Sequence, residues 1–374
     1  MNILQLCLSS GLGGLELYVY RASAALNEPS QNDHKVIAVL QENSALDDYY
    51  KKHSSINRLF LSHSKSPLPI LNARRLASII DHEEIDLIHM HWGKDQALAA
   101  LAKYFSKRKP KLVYTRQMMI TRYKNDFYHR FLYSQLDLMI TITKQLENLC
   151  RKFISADNVN FKTLYYGVKA PETFLSQDEI DADRADIGFK DDDFIVGLFG
   201  RLEEFKGQHL LINAIAKAKQ DNKNIKALIV GHEMIAGYRQ TLNDLAREYD
   251  VIDNIIFNDF VDKPQQLMQI CDCICLATYE ETFGLVLPEA MRAGIAVIGS
   301  DKGGVPEIID HLQTGLLFES ENADSLYEQI CYYFDNPDIK NSIAKQGKTK
   351  ADDIFDNDLH FQRLDKLLIG LTRN

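Results

Sequence analysis

Short runs of apolar and β-branched residues alternate along this chain with longer stretches whose apolar positions recur every three or four residues. That alternation predicts strand–helix–strand units and a parallel sheet. In the first half it predicts strands at Ile3–Leu8, Lys35–Leu40, Asn57–Leu61, Asp86–His91, Lys111–Arg116 and Leu138–Thr143. Helical spacing fills most of the intervals, as at Leu15–Leu26 and Ile70–His82.

Between Gly167 and Asp193 the pattern lapses into QDEIDADRADIGFKDDD, acidic and poor in apolar residues, which predicts a linker with one short helix. The series then restarts with strands near Phe194–Phe199, Ile225–Val230, Ile255–Phe257, Cys273–Leu276, Ala296–Gly299 and Gly315–Phe318. Helices are expected at Gly207–Lys219, Tyr238–Tyr249, Pro264–Cys271, Leu287–Ala293 and Asp324–Tyr333. The prediction is two successive Rossmann-like α/β domains, 1–170 and 171–350, and an amphipathic C-terminal helix within 351–374. No short-period repeat or low-complexity tract competes with it. A length of 374 residues suits two domains at about 150 residues each.

A net charge of −9 argues against a general nucleic-acid partner, which would call for a basic surface. The charge is uneven, however: Lys103–Arg130 holds nine Lys/Arg against the single Asp126, interleaved with Tyr, Phe and Met. That segment is either a solvated surface around a buried strand or a contact for an anionic membrane. Of the six cysteines, Cys271, Cys273 and Cys275 alternate along an apolar run, a spacing suited to one face of a strand and to neither a disulfide nor zinc. They are expected to be core residues in a reducing compartment. The start MNILQLCLSSGLGG lacks a basic leader region, and no stretch approaches the roughly 20 apolar residues of a membrane span. A cytoplasmic protein is expected, at most peripheral on the inner face of a membrane.

Ligands of open parallel sheets sit beyond the carboxyl ends of the strands, and the candidate motifs fall there. In Ala277–Gly294, ATYEETFGLVLPEAMRAG, Glu281 lies in the loop and Glu289 follows after seven residues, near a helix start. Phe283, Gly284, Leu285 and Val286 lie between them, where backbone N–H groups at a helix N-terminus can meet an anion. Carboxylates accept from vicinal hydroxyls, so the pair suits a sugar and a ribose diol. The bland alternative is two glutamates at the positive helix end, worth about 0.3–1 kcal/mol each.

In Val196–Ala218, VGLFGRLEEFKGQHLLINAIAKA, Arg201 and Lys206 flank a strand-to-helix loop. They either converge on a diphosphate or are simply exposed. In Gly11–Leu26, Gly13 and Gly14 permit close backbone approach to a ligand, but the dinucleotide fingerprint fails, because Glu16 stands at its last position and no acid ends the second strand. In DLIHMHW, His91 ends a strand and could enter a site; His89 is assigned to the core.

Taken together, Glu281-x-Phe283-Gly284, Pro288-Glu289-Ala290-Met291 and Gly294 resemble the Glu-x7-Glu signature of retaining glycosyltransferase family 4. The similarity continues through Gly303-Gly304-Val305-Pro306-Glu307 and Thr314-Gly315-Leu316-Leu317. The resemblance implies the GT-B fold, two Rossmann-like domains facing each other across a cleft, with the C-terminal helix crossing back to the first. It implies a hexosyl transfer from a nucleotide-sugar donor, UDP-linked in preference, to a glycan or lipid-linked acceptor in bacterial surface polysaccharide or lipopolysaccharide synthesis. Arg201 and Lys206 would neutralise the departing diphosphate, Glu281 would hold sugar hydroxyls and Glu289 the ribose. His91 would stand beside the donor sugar, and Gly13 and Gly14 would line the opposite wall. Configuration would be retained with no cofactor and no metal. The Asp-x-Asp triplets at Asp181–Asp183, Asp191–Asp193 and Asp356–Asp358 are not at expected strand ends, where a metal-dependent enzyme would need one.

The sequence departs from the family pattern at Gln117, Tyr166, His232 and Ala277-Thr278, which leaves acceptor and base recognition open. A nucleotide-sugar epimerase and a non-catalytic nucleotide-sugar-binding subunit are the alternatives.

Overall fold

The structure is a computed structural model that describes residues 1–28, 34–64, 66–155, 159–259, 261 and 263–373. It divides into two compact units, Met1–Tyr165 with Asp358–Asn374, and Tyr166–Asn357.

The first unit opens with β1 (Asn2–Cys7), α1 (Gly14–Leu26), β2 (Lys35–Leu40), α2 (Ala45–His53), β3 (Asn57–Phe60) and α3 (Ile70–His82). It continues with β4 (Leu87–Met90), α4 (Gln96–Phe105), β5 (Lys111–Arg116), α5 (Phe127–Ser134), β6 (Leu138–Thr141), α6 (Lys144–Phe153) and β7 (Asn160–Thr163). Among the described residues these strands form one parallel sheet in the order β3-β2-β1-β4-β5-β6-β7. The central strands are buried on both faces, as a sheet covered by helices on both sides demands, with Gln5 and His89 their buried polar members. Edge strand β7, NFKT, buries only Phe161, which is why no apolar run announces it.

Polar caps start the helices where the strands release the chain. The Ser44, Asp126 and Thr143 side chains accept the backbone N–H three residues on, at the starts of α2, α5 and α6.

The second unit begins with α7 (Gln177–Ile187), β8 (Phe194–Phe199), α8 (Gln208–Gln220), β9 (Ile225–Val230), α9 (Tyr238–Glu248) and β10 (Ile255–Asn258). Next come α10 (Pro264–Met268), β11 (Cys273–Leu276), α11 (Val286–Arg292), β12 (Ala296–Ser300), α12 (Val305–Ile308) and β13 (Leu316–Phe318). It closes with α13 (Ala323–Asp335) and α14 (Pro337–Ile354). Its parallel sheet has the order β10-β9-β8-β11-β12-β13.

The one helix expected in the acidic linker is α7, capped by Ser176 and Glu179 and ended by Gly188 at φ 108°. No residue of α7 is fully buried, and Arg184 ties it to the Ile270 carbonyl (2.8 Å) and to Asp272 (3.1 Å).

Cys273 and Cys275 lie in the core of the second unit beside Val196 and Leu198, and burial pushes both thiols up. Cys271 is buried too but precedes the strand, so the three do not share one strand face.

The amphipathic C-terminal stretch is split. Helix α14 stops at Ile354, and α15 (Asn357–Thr372) restarts after buried Phe355, whose carbonyl accepts the Val168 N–H at 2.8 Å. From Asp358 onward α15 belongs to the first unit, where its His360 bonds Tyr18 Oη (3.0 Å) and the Tyr165 carbonyl (2.7 Å). Among the described residues no helix is long and apolar enough to cross a membrane.

Candidate active site

In each sheet the strand order reverses once, between β1 and β4 in the first unit and between β8 and β11 in the second. A parallel sheet opens a crevice where its order reverses, because the chain leaves those two strands toward opposite faces. Every candidate residue of the second unit follows β8 or β11, and every candidate of the first follows β1 or β4.

In the second unit the two loops are tied together. The Tyr279 N–H donates to the Phe205 carbonyl at 3.0 Å. Gly207 has φ 71°, and a Cβ there would stand 2.2 Å from the Ala277 carbonyl oxygen, so only glycine lets the Lys206 turn close against the β11 loop. This contact brings Lys206 Nζ to 2.7 Å from Glu281 Oε2, with both side chains mostly sheltered from solvent.

Glu281 is also held through its main chain. Its carbonyl accepts the Gly304 N–H at 2.8 Å, and a Cβ on Gly303 would fall 2.1 Å from that same oxygen. Ser300 Oγ donates to the Thr278 carbonyl and Ser320 Oγ to the Tyr279 carbonyl, each at 2.7 Å. The carboxylate therefore sits on a loop fixed from three sides. Glu280 next to it is exposed.

Phe283 is 2% exposed and packs edge-on against Tyr166 and Phe355, anchoring the Gly284–Val286 backbone ahead of α11. Gly284, at φ 89°, makes the turn. Leu285 and Val286 open α11, and Glu289 lies in its first turn.

Beside this loop lies a cavity of about 230 Å³ with apolar walls that include Phe199, Val230, Met268 and Val286. Arg201 and Glu289 supply charge at its lining, which Gly231 and His232 also border. An apolar slot with a few convergent polar groups suits a flat base and a diol. Arg201 is half-exposed and pairs with Glu203 at 2.9 Å. The two cations expected at one diphosphate are thus each matched by a carboxylate, Arg201 by Glu203 and Lys206 by Glu281.

The first unit carries a second, more buried polar set. The Gly13 N–H donates to Glu16 Oε2 at 2.9 Å, so the glutamate that spoils the dinucleotide fingerprint caps α1, while Gly13 and Gly14 remain exposed. His89 is buried and bonded to Thr115 Oγ1 at 2.7 Å. His91, 1% exposed, is bonded through Nε2 to Gln5 Oε1 at 2.7 Å; among the described residues its Nδ1 has no partner. With Gln5 Oε1 accepting, Nε2 carries the proton and Nδ1 is an acceptor only. Burial, and then the neighbouring His360, lowers the His89 pKa to about 3. Burial and His89 hold His91 well below its ordinary value. Both rings are neutral at physiological pH.

Two contributors escaped sequence reasoning. Gly303–Gly304 was visible as a motif, but its backbone support of Glu281 was not. Arg292, nine-tenths buried, joins α11 to Asp352 (3.0 Å), Asp356 (2.8 Å) and the Val168 carbonyl, fixing the helix that carries Glu289. A charged residue in an otherwise apolar helical turn was the available signal.

A model for glycosyltransferase family 4 matches residues 12–170, and one for group 1 glycosyl transferases matches residues 179–350. The chain is 24% identical over 295 residues to N-acetyl-α-D-glucosaminyl L-malate synthase of Bacillus anthracis, covering 77% of this chain and 76% of that one. It is 28% identical over 229 residues to the Campylobacter jejuni 4-α-N-acetylgalactosaminyltransferase whose name specifies a diphospho-undecaprenol-linked acceptor, covering 61% and 59%. Its fold matches Anabaena HepE, solved in complex with UDP, at a TM-score of 0.85, with 22% identity and coverage of 99% and 100%. With two parallel sheets of Rossmann type and matches to both family models, one for each half, the chain belongs to the family 4 glycosyltransferases of GT-B fold.

Proposed function

We propose that the protein moves a hexosyl group from a nucleotide-sugar, UDP-linked in preference, to a glycan or lipid-linked acceptor, with retention of anomeric configuration and without a bound metal. The observation that carries this reading is the Lys206–Glu281 contact at 2.7 Å. It puts a cation suited to a leaving diphosphate against a carboxylate suited to sugar hydroxyls, beside a cavity lined by Arg201 and Glu289. Fixed cations aimed at the oxygen where charge develops can stabilise a departing diphosphate as a metal would. The UDP seen in HepE supports the nucleotide, and the Campylobacter relative's name supports a lipid-linked acceptor; a role in bacterial surface polysaccharide synthesis is part of the same proposal.

In the proposed step the acceptor hydroxyl attacks the anomeric carbon from the face that the diphosphate leaves. The C–O bond to the diphosphate breaks as the new one forms, and the acceptor proton passes to the departing phosphate oxygen. Glu281 holds the sugar hydroxyls, Glu289 the ribose diol, and Arg201 and Lys206 the diphosphate. The backbone at Phe283, Gly284, Leu285 and Val286 faces the donor. Gly13 and Gly14 leave room for its approach, and the His91 Nδ1 acceptor serves the sugar.

The protein would act at the inner face of the membrane. The side chains of Met118, Tyr123 and Phe127 are exposed, Phe127 to 89%, on the segment that also carries Arg122. Co-sedimentation with anionic vesicles at low salt tests that contact.

Incubation with a panel of UDP-, GDP- and ADP-sugars, with and without candidate acceptors and with EDTA, tests the function. Acceptor-dependent donor consumption that survives EDTA and gives a product of unchanged anomeric configuration supports it. Donor isomerised without acceptor would instead mean an epimerase, and donor bound but never consumed a non-catalytic subunit.

A further inference from the structure

The first unit contains a second cavity, of about 400 Å³, at the carboxyl ends of β4 and β5. Gly93 and Lys94 border it after β4, Arg116 ends β5, and Lys124 and His129 approach from the loop before α5 and from α5 itself. The loop following β3 contributes His63, and Tyr128 Oη donates to the Pro67 carbonyl at 2.6 Å, joining that loop to α5. The enclosure is built by the fold, at the sheet edge where parallel α/β units receive ligands.

Its charge is one-sided. Lys94, Arg116 and Lys124 line it with two histidines, and no aspartate or glutamate is among the described lining residues. Two acids behind the lining already have partners. Asp126 caps α5 and bonds His129 Nδ1 at 2.5 Å, while Asp95 accepts the Leu8 N–H at 2.8 Å behind His63. Arg116 is largely buried, yet no carboxylate reaches it among the described residues. Its Nη2 donates to the Met119 carbonyl at 3.0 Å, its Nη1 makes a long contact with Tyr114 Oη at 3.5 Å, and its Nε has no partner. Burial together with Arg122 and Arg116 holds the Lys124 pKa below its ordinary value, so the cations crowd one another. Lys94 lies 4.9 Å from the Trp92 ring, and Lys124 Nζ is 3.3 Å from His129 Nε2.

A buried donor left without an acceptor and a cluster of like charges only partly offset by Asp126 are both costly, and an anion would relieve both. We propose that this cavity is the acceptor's anion subsite: it holds an oxyanion, a phosphate or carboxylate, on the molecule that receives the sugar. Arg116 offers the planar fork, and Lys124 and Lys94 the point charges. The volume suits one small group, which places the acceptor among phosphorylated or carboxylated small molecules or the phosphate-bearing end of a lipid-linked sugar. This assignment rests on the transferase reading for the word acceptor, but not for the binding itself.

The test is calorimetric titration of the full chain with inorganic phosphate, succinate and glucose 1-phosphate, with uncharged glucose as control, alongside UDP as an independent probe of the second unit. The expected result is saturable anion binding that Lys124→Gln and Lys94→Gln each weaken at least about tenfold, roughly 1.4 kcal/mol, while UDP binding stays as in the wild type. Arg116→Gln should abolish it; because Arg116 is buried, the two lysine variants keep the test valid if that protein fails to fold. Competition by vesicles containing phosphatidic acid would assign the oxyanion to a lipid, and lack of competition to a soluble acceptor. Anion binding no weaker in the lysine variants than in the wild type, or none in the wild type, overturns the proposal. Retained UDP binding and turnover in that case would leave the transferase reading standing.

Discussion

Lys206 Nζ and Glu281 Oε2 lie 2.7 Å apart, although 75 residues separate them in the chain. Each is delivered by a loop after a different strand at the reversal of the sheet order, so the pair marks where two chemical demands meet. If Lys206 receives the diphosphate and Glu281 the sugar, removing either leaves the other misaimed. Lys206→Ala and Glu281→Ala should each lower kcat by about 10²–10³-fold, the range for losing a group that stabilises developing charge. The double variant should lose far less than the product of the two, because residues that act as a unit are not additive. Steady-state kinetics on the three proteins checks this, and wild-type turnover in Glu281→Ala would end the assignment.

Two glycines separate folding from function. Gly303 sits at φ 65° with the Glu281 carbonyl where a Cβ would go, so Gly303→Ala forces a left-handed alanine and pushes the loop that carries Glu281. The left-handed conformation alone costs about 1–2 kcal/mol, and both melting temperature and turnover should fall. Gly14 begins α1 without a positive φ, and a Cβ added there would meet nothing within 4 Å. Gly14→Ala should leave stability unchanged or raise it by up to about 1 kcal/mol. Its turnover should nevertheless drop if the donor approaches that backbone. Thermal melts paired with activity assays distinguish the two behaviours.

Glu289 lines the apolar cavity together with Arg201, and its helix is pinned by Arg292. If its carboxylate accepts from the ribose diol, a 2′-deoxy donor should be the poorer substrate for the wild type. Hydrogen bonds to a charged group are worth about 1.5–3 kcal/mol, so the preference should be roughly 10- to 150-fold in kcat/KM. Glu289→Ala should lose that preference while Lys206 and Glu281 still turn over the donor. Equal discrimination in the variant and the wild type would move the ribose contact elsewhere.

Most of the strands were legible because each is buried on both faces and so reads as an unbroken apolar run, as in FIVGLF or CICL. Edge strand β7 and the break at Phe355–Asp356 were not, since one buries a single residue and the other interrupts an otherwise continuous helical pattern. The acidic motif and the Arg201–Lys206 loop were legible as residue types at fixed spacing. What spacing could not show was the contact between Lys206 and Glu281, which depends on Gly207 packing against Ala277. The basic cavity of the first unit was legible only in part. Arg116 and Lys124 belong to the basic segment Lys103–Arg130, but Lys94 follows β4, and only the pairing of β4 with β5 brings it to them.

The buried groups of the first unit set its response to pH. His89, His91 and His360 are all held below their ordinary pKa, His360 to about 4 by burial, so each is neutral when folded and protonated when unfolded over roughly pH 4–6.5. Their stabilisation is complete above the unfolded value and is lost as pH falls. Asp95 works the other way: burial raises it to about 7, opposed by its bond from the Leu8 N–H, so the folded protein keeps a proton that the unfolded chain has released. Across the same window these groups give three protons of one sign and one of the other. The histidines outnumber the carboxylate, so stability rises as pH rises across this window. Asp95→Asn removes the opposing proton, so its stability curve should climb more steeply between pH 4 and 6.5. Above pH 7 the variant should be more stable than the wild type, because no carboxylate then has to ionise in the core. Urea unfolding from pH 4 to 8 measures both slopes, and parallel curves for the two proteins would show that Asp95 does not titrate as its burial requires.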